Sequence, residues 1–425
     1  MSFSITIFII ILFFLSVPLF ITIGLSAILQ FFKSGIDPTV VIVELNRIAS
    51  APTLLAIPLF TFTGYILAQS KAPKRLFNLA DSLIGWIPGG LSIVSLIVCA
   101  VFTCITGASG ITIIAIGGLL YPILKNKNYP ENFSLGLITS SGSLGLLFPP
   151  SLPLIIYGII ARVSIDQLFV AGIIPGIILM ILLSIYSLHF GLKGKKTKTP
   201  FSLKNLAFSL KEAAWELPIP IIIIGGIYGG FLTIVEASAT SAFYTLIVEF
   251  FVKKDLNIKD DLLSVCRDTV QLVGGIFVIL GSSMGLTSFM IDAQIPQNLL
   301  NIIRSFITSK FTFLILLNIF LLIVGALLDI FSAIIIVVPL IVPIALSYGI
   351  NPIHLGIIFL TNLEIGYITP PVGLNLFISS FRFKKSIMYL YKVSIPFLIV
   401  MLIGLILITY IPDLSLILVK LFYKI

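Results

Sequence analysis

The chain has 425 residues, of which 58% are hydrophobic and only 10% charged, and its formal net charge is +9. Soluble domains carry about 25% charged residues, so this composition excludes a water-soluble globule and predicts a polytopic protein of the lipid bilayer. Basic residues cluster in short segments such as Lys71, Lys74 and Arg75, as in cytoplasmic loops of membrane proteins. No basic stripe is interleaved with exposed aromatic residues, so a nucleic-acid partner is not expected.

Apolar segments of about 20 residues, the length that a spanning helix needs, recur along the whole chain. The first follows a start without basic residues and exceeds a signal-peptide core of about 7–15 residues, so we expect a retained transmembrane helix. A polar stretch at 193–213 separates two halves. The predicted spans are 4–31, 51–69, 168–192, 217–233, 237–252, 269–290, 312–327, 331–347 and 391–412.

Two pairs of apolar segments are interrupted by glycine and proline, in the same order in both halves. In the first half, GASGITIIAIGGLLYP (107–122) precedes GSLGLLFPPSLPLIIYG (142–158). In the second half, GALLDIFSAIIIVVP (325–339) precedes EIGYITPPVGLNLFISS (364–380). Irregular backbone at membrane depth is tolerated only where protein or a water-filled cavity satisfies it. Paired breaks of this kind indicate a secondary transporter whose site lies where the two halves meet.

Each helix break can supply an ion or substrate site. Freed carbonyls can bind a hard cation such as sodium, and half-helix N-termini favour an anion. For any single small residue, the alternative is close helix packing. The candidates for sodium or substrate binding are Thr103, Thr106, Gly107, Ser109, Ser141, Gly145, Pro149, Pro150, Ser151, Gly325, Asp329, Ser332, Gly366, Thr369, Pro370, Pro371, Gly373 and Asn375.

Ionisable residues within apolar segments are costly to bury and often functional. Asp329 either approaches a cation or caps the helix after the hairpin turn. Glu364 either lines the translocation path or lies at the membrane interface. Thr233 and Glu236 have the spacing of a capping box at a helix start. Arg162 is expected to extend to the lipid headgroups, and binding of a substrate carboxylate is the alternative.

An intramembrane aspartyl protease is not expected. Such an enzyme needs two facing aspartates in a Gly-x-Gly-Asp context, which neither Asp292 nor Asp329 has. The sequence also offers no Ser/His dyad or cluster of metal ligands. We therefore do not expect an enzyme.

Specific motifs in order along the chain resemble the large, M-type membrane subunit of the tripartite ATP-independent periplasmic (TRAP) transporters. They include IPLFTFTGYILAQS (57–70), GLLFPPSLPLIIYG (145–158) and most of 324–377. The resemblance implies an all-α elevator-type transporter with two inverted repeats, each with a re-entrant hairpin and a discontinuous helix. It implies N-terminal scaffold helices at 1–85, a first transport-domain repeat at 86–165, scaffold helices and linker at 166–310, a second repeat at 311–385 and a C-terminal scaffold helix at 386–425.

The resemblance also implies two sodium sites, each formed by a hairpin tip and a helix break. The first would use Thr106, Ser109, Gly145 and Pro149, and the second would use Gly325, Ser332, Thr369 and Gly373. The family often has Gly-Ser-Ser where this chain has Gly-Ala-Ser at 107–109. One potential hydroxyl ligand is therefore missing.

The partners implied by the resemblance are a small four-helix membrane subunit and a periplasmic substrate-binding protein. The implied substrate is an organic acid such as a C4-dicarboxylate or sialic acid, and the implied location is the bacterial inner membrane. A stand-alone sodium- or proton-coupled anion carrier of related elevator fold fits the paired breaks as well. Only the family motifs argue against that alternative.

Overall fold

The computed structural model describes residues 17–87, 89–192 and 201–423, together with Leu12 and Leu15. All regular elements within these ranges are helices, and eight of the helices are long and apolar enough to cross a membrane. The predicted all-α polytopic fold is therefore confirmed. The beginning of the first predicted span and residues 193–200 of the predicted linker lie outside the described residues.

The helices are numbered here in chain order. Those before the first helix break are α1 (Leu19–Lys33), α2 (Val40–Ala49), α3 (Ala56–Gln69), α4 (Ala72–Ile84), α5 (Gly90–Thr106), α6 (Ser109–Asn126) and α7 (Glu131–Ser141). Those between the breaks are α8 (Leu152–Ala161), α9 (Ile165–Leu192), α10 (Leu203–Glu212), α11 (Pro218–Tyr228), α12 (Ile234–Val252), α13 (Asp261–Asp292), α14 (Ile295–Phe306), α15 (Lys310–Leu327), α16 (Ile330–Ser347) and α17 (Pro352–Gly366). The last are α18 (Leu374–Phe383), α19 (Ile387–Tyr410) and α20 (Asp413–Tyr423).

Two helical hairpins occupy the positions of the two small-residue segments. The first, α5 and α6, turns at Gly107, whose φ of +67° lies in the left-handed region that favours glycine. The second, α15 and α16, turns at Leu328 and Asp329. Asp329 ends that turn as the N-cap of α16, because its carboxylate accepts hydrogen bonds from the first amides of the helix.

Each hairpin is followed by a helix that is broken at a Pro-Pro pair. α7 continues through one 3₁₀ turn, Leu144–Leu147, and the stretch that ends at Leu147 meets α8 at an angle of 45°. α17 and α18 are separated by residues 367–373. Proline has no amide hydrogen to donate to the helical ladder, so the two Pro-Pro pairs lie where continuous helix ends.

The two broken helices run past each other in opposite directions. Thr139 near the end of α7 donates a hydrogen bond to Ser379 of α18 at 3.0 Å. At the other end, the Tyr157 hydroxyl of α8 donates to the carbonyl oxygen of Pro352, at the start of α17, at 2.7 Å. The first half of each broken helix therefore lies beside the second half of the other.

The described helices fall into two packing groups. In one group, α1, α2 and α3 pack against α13, and α3 also packs against α12. In the other group, α9 packs on α5, α8 and α17, while α19 packs on α7, α17 and α18. Gly172 lets α9 pack closely against the first break, because a Cβ at this position would lie 2.0 Å from the Leu147 carbonyl oxygen.

The two groups meet at a backbone contact between α3 and the tip of the first hairpin. A Cβ added to Gly64 of α3 would lie 2.5 Å from the Cα of Thr106. A second contact joins α13 to α16, where the Ser283 hydroxyl donates to the Ile335 carbonyl oxygen at 3.1 Å. These contacts set the position of each hairpin against the α3–α13 group.

A buried ion cluster anchors α4 to the end of α12. Arg75 is 8% exposed and donates hydrogen bonds to the carboxylates of Glu216, Glu249 and Asp255. Burial opposes the charge of Asp255, but the hydrogen bond and positive charge of Arg75 hold the pKa of Asp255 below its ordinary value. The sequence grouped Arg75 with Lys71 and Lys74, yet only the two lysines are exposed.

Candidate functional site

The first candidate site lies where the tip of the first hairpin touches the first helix break. Thr106 Oγ1 is 3.5 Å from the carbonyl oxygen of Thr103, so the hydroxyl turns toward the backbone of the tip. Ser109 begins α6 and is buried. Gly145 lies directly on α5, because a Cβ there would be 2.2 Å from the Ala100 carbonyl oxygen. Glycine at 145 thus lets the backbone of the break reach the backbone of the hairpin.

The second candidate site repeats this backbone contact. A Cβ on Gly366 would lie 2.5 Å from the carbonyl carbon of Gly325 and 2.6 Å from its Cα. The amides of Val372 and Gly373 both donate to the carbonyl oxygen of Ala326 at 3.2 Å. The second break therefore folds back onto the tip of its hairpin. Both breaks have the pattern Gly-x-x-x-Pro-Pro, at 145–150 and 366–371.

Side chains at the second tip are held by local hydrogen bonds. Asp329 Oδ1 accepts from the amides of Phe331 and Ser332 at 3.0 Å each, and the Ser332 hydroxyl donates to Asp329. The structure thus shows Asp329 as the helix cap, and the approach of its carboxylate to a cation stays a prediction. Tyr367, which the sequence did not single out, accepts a hydrogen bond from the amide of Ile330 at 2.7 Å.

A polar cluster lies where the two broken helices cross. The Asn375 amide nitrogen is 3.2 Å from the Thr139 carbonyl oxygen and 3.4 Å from the Ser143 hydroxyl. The Ser143 hydroxyl is in turn 3.5 Å from the carbonyl oxygen of Glu364. Together with the bond from Thr139 to Ser379, these contacts join the end of α7 to α17 and α18.

The first hairpin is tied to the same region through Thr103. Its hydroxyl donates to the carbonyl oxygen of Gly142 at 2.8 Å and lies 2.6 Å from the Thr112 hydroxyl. Hydroxyl and carbonyl oxygens from α5, α6 and α7 therefore meet beside the first break.

Several buried polar atoms in this region have no hydrogen-bond partner within the part of the chain that the structure describes. They are both carboxylate oxygens of Glu364, Asn375 Oδ1 and Ser140 Oγ. Glu364 is fully buried among the described helices. Unpaired buried polar groups are costly and point to a missing ligand, ion or water.

The remaining predicted residues do not all face the tips. Ser151 caps α8 by accepting from the Leu154 amide, and Ser141 donates to a carbonyl one turn earlier in its own helix. Thr369 likewise bonds within its own segment. Pro149 and Pro150 line an apolar cavity on the outer side of the break. The hydroxyls of Ser141, Ser151 and Thr369 are thus engaged by helix backbone.

The donor atoms of both sites suit a hard cation. In the ranges given above, no group of three or more His, Cys, Asp or Glu residues is arranged to hold a metal ion, so the sites lack the ligands of a transition metal. Carbonyl, hydroxyl and carboxylate oxygens are the ligands that hard cations take. The close backbone contacts at Gly145 and Gly366 bring each break against its hairpin without side chains between them. The residues present therefore fit a sodium ion.

Comparison with known proteins assigns the chain to a family. The family model described as "Tripartite ATP-independent periplasmic transporter, DctM component" matches residues 6–414. The chain belongs to this family. It is 34% identical over 423 residues to the C4-dicarboxylate TRAP transporter large permease protein DctM of Vibrio cholerae, covering 94% of this chain and 93% of that protein.

This DctM-family chain is also similar to one longer TRAP permease and to one transporter of much lower sequence identity. It is 34% identical over 404 residues to the isethionate TRAP transporter permease protein DctMQ of Oleidesulfovibrio alaskensis, covering 93% of this chain but only 63% of that protein. The YdaH transporter of Alcanivorax borkumensis has a similar fold, with a TM-score of 0.62, 10% identity, and coverage of 87% and 86% of the two chains. At this identity the similarity concerns the fold alone.

Family membership confirms the resemblance to the M-type subunit and identifies the chain as a TRAP large permease with multiple membrane-spanning helices. The two TRAP relatives named above are transporter permease proteins and not enzymes. The matched range contains both hairpins and both helix breaks.

Proposed function

We propose that this chain is the substrate-translocating subunit of a sodium-coupled TRAP transporter that imports an organic anion by an elevator movement. The observation that carries the proposal is the pair of Gly-x-x-x-Pro-Pro breaks, each packed backbone to backbone against a hairpin. The two broken helices run in opposite directions. Paired breaks of this kind mark the binding sites of many secondary transporters.

The two backbone contacts are the proposed sodium sites. The first uses oxygens of Thr106, Ser109, Gly145 and Pro149. The second uses oxygens of Gly325, Ser332, Thr369 and Gly373. Helix C-termini carry partial negative charge that favours a cation, and α5, α7, α15 and α17 all end at these contacts. The engaged hydroxyls of Ser332 and Thr369 offer lone pairs on oxygen while they donate to the backbone or to Asp329.

The organic anion is proposed to bind between the two sodium sites, at the crossing of the broken helices. The N-termini of α8, α16 and α18 begin near the breaks, and helix N-termini favour a negative charge. The unpartnered Asn375 and Ser140 oxygens border the same crossing. The relatives named above are C4-dicarboxylate and isethionate permeases, and these substrates share an anionic group on a small organic molecule.

Packing suggests which helices move together. The hairpins and broken helices, 86–165 and 311–385, form the core of the proposed transport domain. α9 and α19 pack on these elements, so we assign them to the moving unit, although the sequence-based division grouped them with the scaffold. α1, α2, α3, α12 and α13 form the proposed scaffold. The sliding surface then includes the contact between Gly64 and Thr106.

The proposed location is the bacterial inner membrane, with the end that carries α4 and the start of α7 toward the cytoplasm. Lys71, Lys125 and Lys385 are among the basic residues of this end, and cytoplasmic ends are rich in basic residues. The proposed partners are a small membrane subunit and a periplasmic substrate-binding protein. A stand-alone carrier is the competing function.

Uptake into proteoliposomes tests the proposal. The chain is reconstituted with its small partner subunit, and labelled C4-dicarboxylate or isethionate is offered with and without candidate binding proteins from the same organism. We expect accumulation only with an inward sodium gradient and a binding protein. Uptake of free substrate without any binding protein would favour a stand-alone carrier. Uptake driven by a proton gradient in sodium-free buffer would contradict sodium coupling.

A further inference from the structure

An apolar cavity of about 240 Å³ lies on the outer side of the first helix break. Its walls come from α5, from Phe148, Pro149 and Pro150 in the break, from α9 and from α11. Gly176 of α9 lies against the ring of Phe148, since a Cβ there would be 2.6 Å from the ring. The cavity is thus bounded on one side by the segment that carries the first proposed sodium site.

The lining of this cavity offers few partners for water. Apart from Cys104, whose thiol donates to the Val101 carbonyl of its own helix at 3.1 Å, the side chains are hydrocarbon or thioether, and none is charged. A buried water needs two to four polar partners, and an engineered apolar cavity of about 150 Å³ stays dry and takes up benzene. The walls include Ile97, Val101, Ile173, Met180 and Ile223.

The cavity lies at the depth of the lipid tails. Met180 is near the middle of α9, which is long and apolar enough to cross the membrane. Cys104 lies near the end of α5, close to the tip of the first hairpin. On the bilayer side, Ile224 borders the cavity and is 42% exposed, and its neighbour Ile221 is 67% exposed. Lipid tails, and not lipid headgroups, are therefore next to the opening of the cavity.

We propose that this cavity binds the end of an acyl chain of a membrane lipid. Moving a tail from the bilayer into the cavity brings no hydrophobic gain, because both surroundings are apolar. The gain is in contacts: an empty cavity leaves its walls without van der Waals partners, and a flexible tail restores them. A single tail that enters beside Ile224 meets Pro149 and Pro150 on the opposite wall.

The bound tail connects the two packing groups. α11 packs on α12 of the α3–α13 group, whereas α5, α9 and the break pack on one another. A tail between them keeps the Pro-Pro segment apart from Ile223. Any movement of the break relative to α11 must then reshape or empty the cavity. A link between this movement and transport rests on the proposed function, but the binding of the tail does not.

Photo-crosslinking in liposomes tests tail binding without substrate, sodium gradient or transport. The protein is reconstituted with a phospholipid that carries a diazirine near the methyl end of one acyl chain. It is then irradiated, digested and mapped by mass spectrometry. We expect adducts on cavity residues such as Val101, Cys104 and Ile223, in addition to outward-facing residues.

Filling the cavity provides the control. Ile223→Trp should abolish the adducts on Val101 and Cys104, whereas Ile177→Trp, an equal enlargement at a residue of α9 that is 40% exposed, should leave them. Val101→Phe fills the cavity from the opposite wall and should abolish the Ile223 adducts, even if Ile223→Trp does not fold. Adducts confined to outward-facing residues in the wild type would overturn the proposal. Adducts on cavity residues that persist in both Ile223→Trp and Val101→Phe would also overturn the proposal.

Discussion

Replacing Gly366 with alanine tests whether the second helix break and the hairpin tip form one ion site. The added Cβ would lie 2.5 Å from the carbonyl carbon of Gly325 and 2.6 Å from its Cα. Both neighbours are backbone atoms and cannot rotate away. The distance from the Cβ to the Gly325 carbonyl carbon must grow from 2.5 Å to the 3.4 Å of ordinary van der Waals contact, so the tip must move by about 0.9 Å.

This retreat is large compared with what a metal site tolerates. Metal–ligand distances vary by only about ±0.2 Å in a working site, and disturbed supporting contacts weaken metal binding about 10–100-fold. A tenfold loss removes about 1.4 kcal/mol of sodium-linked stability at saturation. Overpacking at Gly366 should cost a further 1–3 kcal/mol or so without sodium.

The assay is thermal unfolding of the detergent-solubilised protein, titrated with sodium chloride against choline chloride at constant ionic strength. We expect Gly366→Ala to shift the sodium concentration at which stabilisation begins at least tenfold upward. The control is Gly274→Ala in α13, where an added Cβ meets open space, and it should leave that concentration unchanged. If stabilisation began at the same sodium concentration in the two variants, the result would refute an ion site at the second break.

Arg75→Met should lower the free energy of unfolding by about 3–5 kcal/mol, because buried carboxylates lose their cation. Exposed Lys74→Met should change it by about 0.5 kcal/mol or less, and equal falls in unfolding temperature would contradict the cluster. Asp255 has a lowered pKa when folded, so its contribution is present above its ordinary value of 3.8 and is lost as pH falls through the folded value. The stability difference between wild type and Asp255→Asn should therefore shrink below about pH 4, and a constant difference in acid unfolding would argue against this linkage. Gly64→Ala places a Cβ 2.5 Å from the Cα of Thr106, so uptake should slow and stability should fall by about 1–3 kcal/mol; unchanged uptake and unfolding would rule out the close approach.

Local composition was enough to predict most of the helices. The segments 168–192 and 331–347 match α9 (Ile165–Leu192) and α16 (Ile330–Ser347) closely, because a long apolar run has one stable form in a bilayer. The positions of both breaks were predictable for the same reason, since proline and glycine act on their own segment. Amphipathic α4 and α14 were missed because their apolar residues do not form a continuous run.

The sequence alone could not predict contacts between segments that are far apart in the chain. Thr139 and Ser379 are 240 positions apart, and no local pattern indicates their pairing. Arg75 was predicted to lie with the loop lysines because the carboxylates that bury it come from other helices. The cap formed by Asp329 depends on the geometry of one turn. Glu364 could be placed inside the protein only once the neighbouring helices were known.

The measurement that tests the central claim most directly is sodium-dependent stability of the wild-type protein. Purified protein, with its small partner subunit where needed, is unfolded thermally across a titration with sodium, potassium or choline chloride. A ligand that binds only the folded state raises stability as its concentration passes the dissociation constant. We predict that stability rises with sodium alone once its concentration passes the dissociation constant, and that the rise is smaller in Ser109→Ala and in Thr369→Ala. Identical curves for the three cations would contradict sodium sites at the helix breaks.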